Sequence, residues 1–344
     1  MPLKIAVFGA GSIGCHLGGL LAAVCEVTLI GRPAAMEAVR ERGLRLTGGG
    51  RPDARVAPAL LRASSAPADV SGADYVVVTV KSGASREAAE AIGPHLGPHT
   101  VVVSFQNGVR NPQVLGAALP AGTAVLTGMV PYNVVRTGPA AFHQGTAGAL
   151  MVDDVPDAGA LVAALRRAGL EVEPRGDMRG VQYAKLLMNL NNAVNALSGL
   201  PLREQLGTRA YRRCLALCQE EALAAYRAEG VVPARLGPVP ASWAPRLLRL
   251  PDAVFRRVAA ASLRVDARAR SSMWEDLERG RPTEIDSLQG EVVALASRHG
   301  LPAPVNARLV RLVREAEAAP PGGARRWPAA ELYEELRRAA AGAA

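Results

Sequence analysis

Apolar positions along this chain follow two patterns, and the change falls near residue 175. Up to about residue 150, short unbroken apolar runs alternate with Ala-rich stretches. The runs are Lys4–Phe8, Val27–Ile30, Tyr75–Val80, Val101–Phe105 and Ala124–Leu126. Continuous Val/Ile runs, rather than strict alternation, suit strands buried on both faces of a parallel sheet. Ser12–Val24, Ser85–Leu96 and Pro112–Leu119 read as helices between them. The pattern predicts a doubly wound α/β unit. Gly48–Gly50 and the loop-like stretch to Pro67 leave room for one or two short strands. From 130 to 152 the Gly-punctuated pattern predicts two or three strands, then a helix over Asp157–Arg167 and a closing strand over Leu170–Glu173.

After Asp177 strand signals almost vanish. The spacing predicts helices over 178–197, 209–229, 252–264, 271–279, 286–299 and 303–316, with a Pro-rich connection from Pro233 to Pro251. The expected organisation is an α/β domain over 1–175, an all-α domain over 176–318, and a tail over 319–344 holding one helix. A chain of 344 residues accommodates two such domains without disulfide staples.

Composition narrows the function classes. Hydrophobic residues at 49% and charged residues at 21% exclude bulk disorder. Aromatic residues are scarce, with 3 Trp, 6 Tyr and 4 Phe, which argues against stacking platforms for single-stranded nucleic acid. The net charge of +9 is dispersed, with no block of five or six cations, so no nucleic-acid partner is expected. No apolar run approaches membrane-spanning length and no secretory leader is evident, so the expected location is cytoplasmic, with no membrane partner. Four Cys without a CxxC pair and five scattered His give no metal site. A homodimer is compatible with this composition, but no residue argues for it.

The cations themselves are more informative. Only three of the 40 basic residues are lysine: Lys4, Lys81 and Lys185. Arginine replaces lysine as a generic cation but not as a compact donor with a shiftable pKa. Lys4 merely opens a strand. Lys81 and Lys185 become candidates for chemistry.

Residues 9–14 read Gly9-Ala10-Gly11-Ser12-Ile13-Gly14, between the first strand and a helix. That context turns a weak motif into a Rossmann-type dinucleotide site. Gly9 permits the tight turn, Gly11 the approach of a pyrophosphate, and Gly14 close helix–strand packing. The helix N-terminus supplies amide donors. An NAD site wants an acid where the second strand ends; here Gly31-Arg32 follows instead. A guanidinium binds an adenosine 2′-phosphate bidentately, so Arg32 argues for NADPH, although a solvated loop arginine reads the same way. Lys81 and Asn107 each follow a buried strand, where ligands of open α/β sheets bind. Asn-Gly is also an ordinary turn signal.

The first long helix of the second half concentrates amides. Four of the chain's eight Asn, Asn189, Asn191, Asn192 and Asn195, lie within ten residues of Lys185. At roughly 100° per residue, Asn189 lies about 40° from Lys185 and Asn192 about 20° to its other side. These three form one polar stripe flanked by apolar residues; Asn195 is near its edge and Asn191 points elsewhere. A lysine in such surroundings has its pKa drawn down, as suits a proton donor to a developing alkoxide. A buried amide network that sets helix packing is the competing reading. Further on, Ser271, Ser272 and Thr283-Glu284-Ile285-Asp286 look like helix starts, and capping alone would explain them.

Together these residues resemble a known family. The features are the N-terminal GxGxxG, the Lys after a Val-rich strand, Gln-Asn-Gly, Lys-x-x-x-Asn, Ser-Ser-Met-x-x-Asp and Thr-Glu-Ile-Asp-x-x-x-Gly. The chain is similar to the 2-dehydropantoate 2-reductase (ketopantoate reductase) family from Lys4 to about Arg314. The resemblance implies NADPH-dependent reduction of the 2-oxo acid ketopantoate to pantoate, for pantothenate and coenzyme A synthesis. It implies Lys185 as general acid, with Glu284 also catalytic. Asn107, Asn189, Ser272 and Glu284 would hold substrate or the lysine. Gly9, Ala10, Gly11, Ser12, Ile13, Gly14, Arg32, Lys81 and Asn107 would touch NADPH. The family often has a second substrate Asn eight residues after the Lys, where this chain has Ala193; Asn192, adjacent and nearer the Lys face, is the candidate to replace it. Another Asn expected just past the helix lacks a counterpart in Ser198-Gly199-Leu200-Pro201, and 233–251 looks expanded. These departures leave a different branched 2-oxo acid open as substrate.

Overall fold

The computed structural model describes residues 2–237, 239–258, 269–320 and 322–342. The chain divides into two compact units, Met1–Met178 and Arg179–Ala344.

The first unit begins β1 (Lys4–Phe8), α1 (Ser12–Leu21), β2 (Glu26–Ile30), α2 (Pro33–Arg42), β3 (Leu44–Gly48), β4 (Ala54–Val56) and β5 (Arg62–Ser64). It continues through β6 (Tyr75–Val78), α3 (Ser85–Ile92), β7 (Val101–Ser104), α4 (Asn111–Ala118) and β8 (Val125–Met129). It ends with β9 (Val134–Gly138), β10 (Ala141–Gln144), β11 (Leu150–Asp153), α5 (Gly159–Arg167) and β12 (Val172–Arg175). The main sheet has the order β12-β11-β8-β7-β6-β1-β2-β5. Its six strands from β8 to β5 run parallel, and β11 lies antiparallel to β8. In order of occurrence the parallel strands stand third, second, first, fourth, fifth, sixth. That is the Rossmann order, with its topological switch between β1 and β6. The apolar runs that predict β6 and β7 are buried, as a sheet covered on both faces demands.

The stretch from Gly48 to Pro67, expected to be loop-like with one or two short strands, carries β4 and the third parallel strand, β5. Only three residues long, with Ala63 its one apolar residue, β5 is sustained by its ladder to β2. β3 and β4 join β10 and β9 in a second sheet, ordered β4-β3-β10-β9. Helix α1 lies between the two sheets. A Cβ on Gly18 would run into Leu29 of the main sheet, and one on Gly19 would come within 2.8 Å of Leu44 in the second. Two adjacent glycines thus let one helix pack closely on both sides.

The second unit is helical: α6 (Met178–Asn189), α7 (Asn191–Ser198), α8 (Leu202–Gly207), α9 (Arg209–Ala228), α10 (Ala244–Leu248) and α11 (Asp252–Val258). It closes with α12 (Ser272–Glu278), α13 (Gln289–Arg298), α14 (Pro304–Glu317) and α15 (Ala329–Ala341). The helix expected over 252–264 is seen to Val258; its remainder lies outside the described residues. The Pro-rich connection is not bare, since it contains α10. Fully buried Arg212 of α9 organises it, donating to Leu206 O (2.9 Å), Leu248 O (3.1 Å) and Leu250 O (2.8 Å). Its guanidinium also stacks on Phe255, 4.1 Å from the ring centroid. Three backbone carbonyls, the Asp252 carboxylate at 2.8 Å and a ring offset the desolvation of that charge. The tail is part of this unit's core: Leu332 and Leu336 of α15 are buried, and Arg213 of α9 stacks on Tyr333 at 4.0 Å.

Candidate functional site

In the first unit the carboxyl ends of the parallel strands are stitched together around residues 9–14. Gly9 N and Ala10 N both donate to Ile30 O at 2.9 Å, and Thr79 Oγ1 donates to Gly9 O at 2.8 Å. The three glycines have separate physical roles. Gly9 has φ +98°, and a Cβ there would lie 2.6 Å from Val80 N. A Cβ on Gly14 would lie 2.6 Å from Thr79 Oγ1. Gly11 differs, because a Cβ there would meet nothing closer than Gly9 O at 3.8 Å. Packing does not require Gly11 to be glycine. Its missing side chain leaves open space at the N-terminus of α1, where no side chain caps the helix and no acid occupies the first turn. Backbone amides and open space at a helix N-terminus fit a pyrophosphate. Ser12 and Ile13, in the first turn, are partly exposed, while Ala10 is buried against the turn.

Arg32 is exposed, two residues beyond β2, at the N-cap position of α2; that helix also has no acid in its first turn. Lys81 is exposed beyond β6 and Asn107 half-buried beyond β7. A polar network joins their two loops. Ser82 Oγ donates to Asn107 O (2.6 Å), and Asn111 Nδ2 donates to Ser82 Oγ (3.1 Å) and Asn107 O (2.5 Å). Ser85 Oγ donates to Asn111 Oδ1 (2.7 Å) and accepts from Gln106 Nε2 (2.8 Å). Gln106 Nε2 also reaches Val80 O (3.0 Å), and its Oε1 accepts from Ser104 Oγ (2.9 Å). A buried polar network paired in this way rigidifies its surroundings. Ser82, Ser85, Gln106 and Asn111 are absent from the sequence-based candidates. Only Gln106, inside the Gln-Asn-Gly motif, carried a signal there.

In the second unit, Lys185 lies on α6. Burial draws its ammonium pKa from the ordinary 10.5 down to about 8. Lys185, Asn189 and Asn192 keep partial exposure, whereas Asn191 and Asn195 are buried. The buried pair is committed to packing. Asn191 exchanges two hydrogen bonds with Gln205, both 3.1 Å. Asn195 donates to Leu200 O (2.9 Å) and accepts from Ser271 N (2.9 Å). The helix expected to run unbroken over 178–197 is interrupted at Leu190. Buried glutamines meet the carbonyls there: Gln219 Nε2 donates to Leu187 O (3.1 Å) and Gln289 Nε2 to Leu190 O (2.8 Å). Side chains inserted into the helical ladder are a standard cause of such breaks.

Of the two serines, Ser271 is the cap: its Oγ accepts from Trp274 N and donates to Asn192 O, both at 3.2 Å. Ser272 begins α12 and is exposed. Glu284 is half-buried, at the N-cap position of a short 3₁₀ turn over Ile285–Ser287. All four cysteines are free and buried. Among the described residues no group of three or more His, Cys, Asp or Glu is placed to hold a metal. No helix among them is long and apolar enough to cross a membrane.

Residues 5–157 match the family profile of ketopantoate reductase PanE/ApbA, and residues 177–317 match that of its C-terminal region. The chain belongs to the ketopantoate reductase family. It is an oxidoreductase. A 2-dehydropantoate 2-reductase of Mesorhizobium japonicum is 31% identical, over 91% of this chain and 97% of the relative. One from Halobacterium salinarum is 30% identical, over 92% and 99%. Among solved structures, a PanE/ApbA family ketopantoate reductase from Ralstonia eutropha JMP134 superposes with a TM-score of 0.79 at 34% identity, covering 92% of this chain and 98% of the other. A D-mandelate dehydrogenase solved with NADH and anilino(oxo)acetate shares the fold, with a TM-score of 0.76 at 20% identity and coverage of 92% and 98%.

Proposed function

We propose that this enzyme reduces ketopantoate to pantoate with NADPH, with Lys185 as the general acid. The observation that carries the reading is Lys185 itself. It is one of three lysines in an arginine-rich chain, and its pKa is drawn to about 8 by burial. A donor with a pKa near working pH combines a protonated resting state with a low barrier to release. NADPH supplies the hydride when bound. Gly9–Gly14 would hold its pyrophosphate at the α1 N-terminus, Arg32 its 2′-phosphate, and Lys81 and Asn107 the part nearer the substrate. Lys185 holds the proton destined for the C2 oxygen and stabilises charge as it develops there. Asn189, Asn192 and Ser272 orient the keto acid, and Glu284 either binds its hydroxyl or orients Lys185.

The second reading keeps the chemistry and changes the substrate to another branched 2-oxo acid. It is favoured by Ala193 at the position where family members often carry a substrate amide.

Both readings are tested by the pH dependence of kcat in the reductive direction. The account expects kcat to fall as pH rises through about 8, where Lys185 loses its proton. Lys185→Ala should lower kcat by ~10²–10⁴-fold with NADPH affinity retained. Lys185→Arg should restore little, because a guanidinium does not release its proton. A Lys185→Ala enzyme with near-normal kcat overturns the assignment.

A further inference from the structure

The interruption at Leu190 falls between Lys185 and Asn189 on one side and Asn192 on the other. It is held by two residues that no catalytic role explains. Gln219, on α9, is 4% exposed and Gln289, the first residue of α13, is 0% exposed. Each spends its amide nitrogen on one carbonyl of the interruption. The Oε1 of each is buried with no hydrogen-bond partner among the described residues. An unsatisfied buried carbonyl oxygen costs about 1–3 kcal/mol. Each amide offsets that cost by supplying a donor to a backbone carbonyl where the helical ladder lapses, at Leu187 O and at Leu190 O.

At the interruption the helical hydrogen-bond ladder lapses, with α6 ending at Asn189 and α7 beginning at Asn191. Leu190 N still reaches Leu186 O at 3.1 Å, so α6 is regular up to that residue. α7 then starts from Asn191, with Leu190 at φ −57° and ψ −22°. The two glutamines come from different helices and grip carbonyls three residues apart. They tie α6 and α7 to α9 and α13 where the proposed donor segment meets the proposed substrate amide.

We propose that Gln219 and Gln289 are positioning residues for the reduction, setting the orientation of Asn192 relative to Lys185 and Asn189 through their hold on Leu187 O and Leu190 O. This rests on the reading of Lys185 as general acid. A misplacement of about 1 Å at a reacting centre costs up to ~10²-fold in rate.

The test uses Gln219→Met and Gln289→Met, which keep side-chain length and remove the amide, and Gln219→Asn and Gln289→Asn, which keep an amide but draw it back from the carbonyl. Thermal melts and NADPH titration are recorded beside the kcat–pH profile, with Lys185→Ala run in parallel. The expected result is a ~10–100-fold loss of kcat with wild-type NADPH affinity and a displaced alkaline limb, in folded protein. Should the Met variants fail to fold, the Asn variants carry the same expectation. Folded variants with the wild-type kcat and pH profile overturn the proposal, as does a loss of kcat that merely tracks the fraction folded. If Lys185→Ala itself retains kcat, it is the general-acid reading that fails, whatever the glutamine variants do.

Discussion

Lys185 should make the protein less stable, and replacing it should show this. A pKa drawn from 10.5 to about 8, with burial as the cause, corresponds to at most about 3 kcal/mol of disfavoured charging, at ~1.4 kcal/mol per pK unit. The side chain still meets some water, so Lys185→Met is expected to gain about 1–3 kcal/mol at pH 7, with the aliphatic stem's packing retained. The sign with pH follows from linkage. The unfolded chain holds this proton up to about pH 10.5 and the native chain only up to about 8. The penalty is therefore complete below pH 8, fades as pH rises, and is gone by about 10.5. Urea denaturation of wild type and Lys185→Met at pH 7 and above pH 10 measures the difference, which should be largest at pH 7 and near zero at the higher value. The variant should be inactive at both. If Lys185→Met is less stable than wild type at pH 7, the ammonium is held by a compensating partner and the basis for its lowered pKa is wrong.

Other outcomes are equally specific. Gly11→Ala should keep wild-type stability, because its Cβ meets nothing closer than 3.8 Å, yet weaken NADPH binding measured by fluorescence titration. Gly14→Ala, whose Cβ would lie 2.6 Å from Thr79 Oγ1, should instead lower the melting temperature. Wild type should prefer NADPH over NADH by ~10-fold or more in kcat/KM, as a charge-assisted phosphate contact implies, and Arg32→Asp should erase or reverse this. Asn111→Leu removes three hydrogen bonds that tie Ser82, Ser85 and Asn107 together. It should raise the Kd for NADPH by ~10-fold or more, as expected for a buried network left half-satisfied.

How much of this was legible in the sequence depended on the kind of signal each residue carried. β6 and β7 were readable because a buried parallel strand must be an unbroken apolar run. β5 was not, because Arg62-Ala63-Ser64 has no run to read and exists through pairing with β2. The Gly9–Gly14 turn could be read because its glycines are a local backbone requirement. Within the amide-rich helix, periodicity singled out Lys185, Asn189 and Asn192, the three that keep exposure, from Asn191 and Asn195, which are buried. It could not reveal the interruption at Leu190, because the agents are Gln219 and Gln289, 32 and 99 residues away in sequence from the carbonyls they hold. The network behind Lys81 and Asn107 was hidden for the same reason. Ser82, Ser85 and Asn111 look like ordinary loop and helix-start residues until two loops are brought together.

The central claim is reduction of ketopantoate with NADPH, and the most direct measurement is NADPH oxidation by the purified enzyme with ketopantoate and with branched 2-oxo acids lacking its terminal hydroxyl. A site that pairs that hydroxyl rejects ligands without it, because its own buried polar group is left unpaired. The account predicts turnover of ketopantoate to pantoate, with the hydroxyl-free acids at least ~10²-fold lower in kcat/KM. A hydroxyl-free branched acid that outperforms ketopantoate would contradict it and make Ala193 the decisive residue for substrate choice.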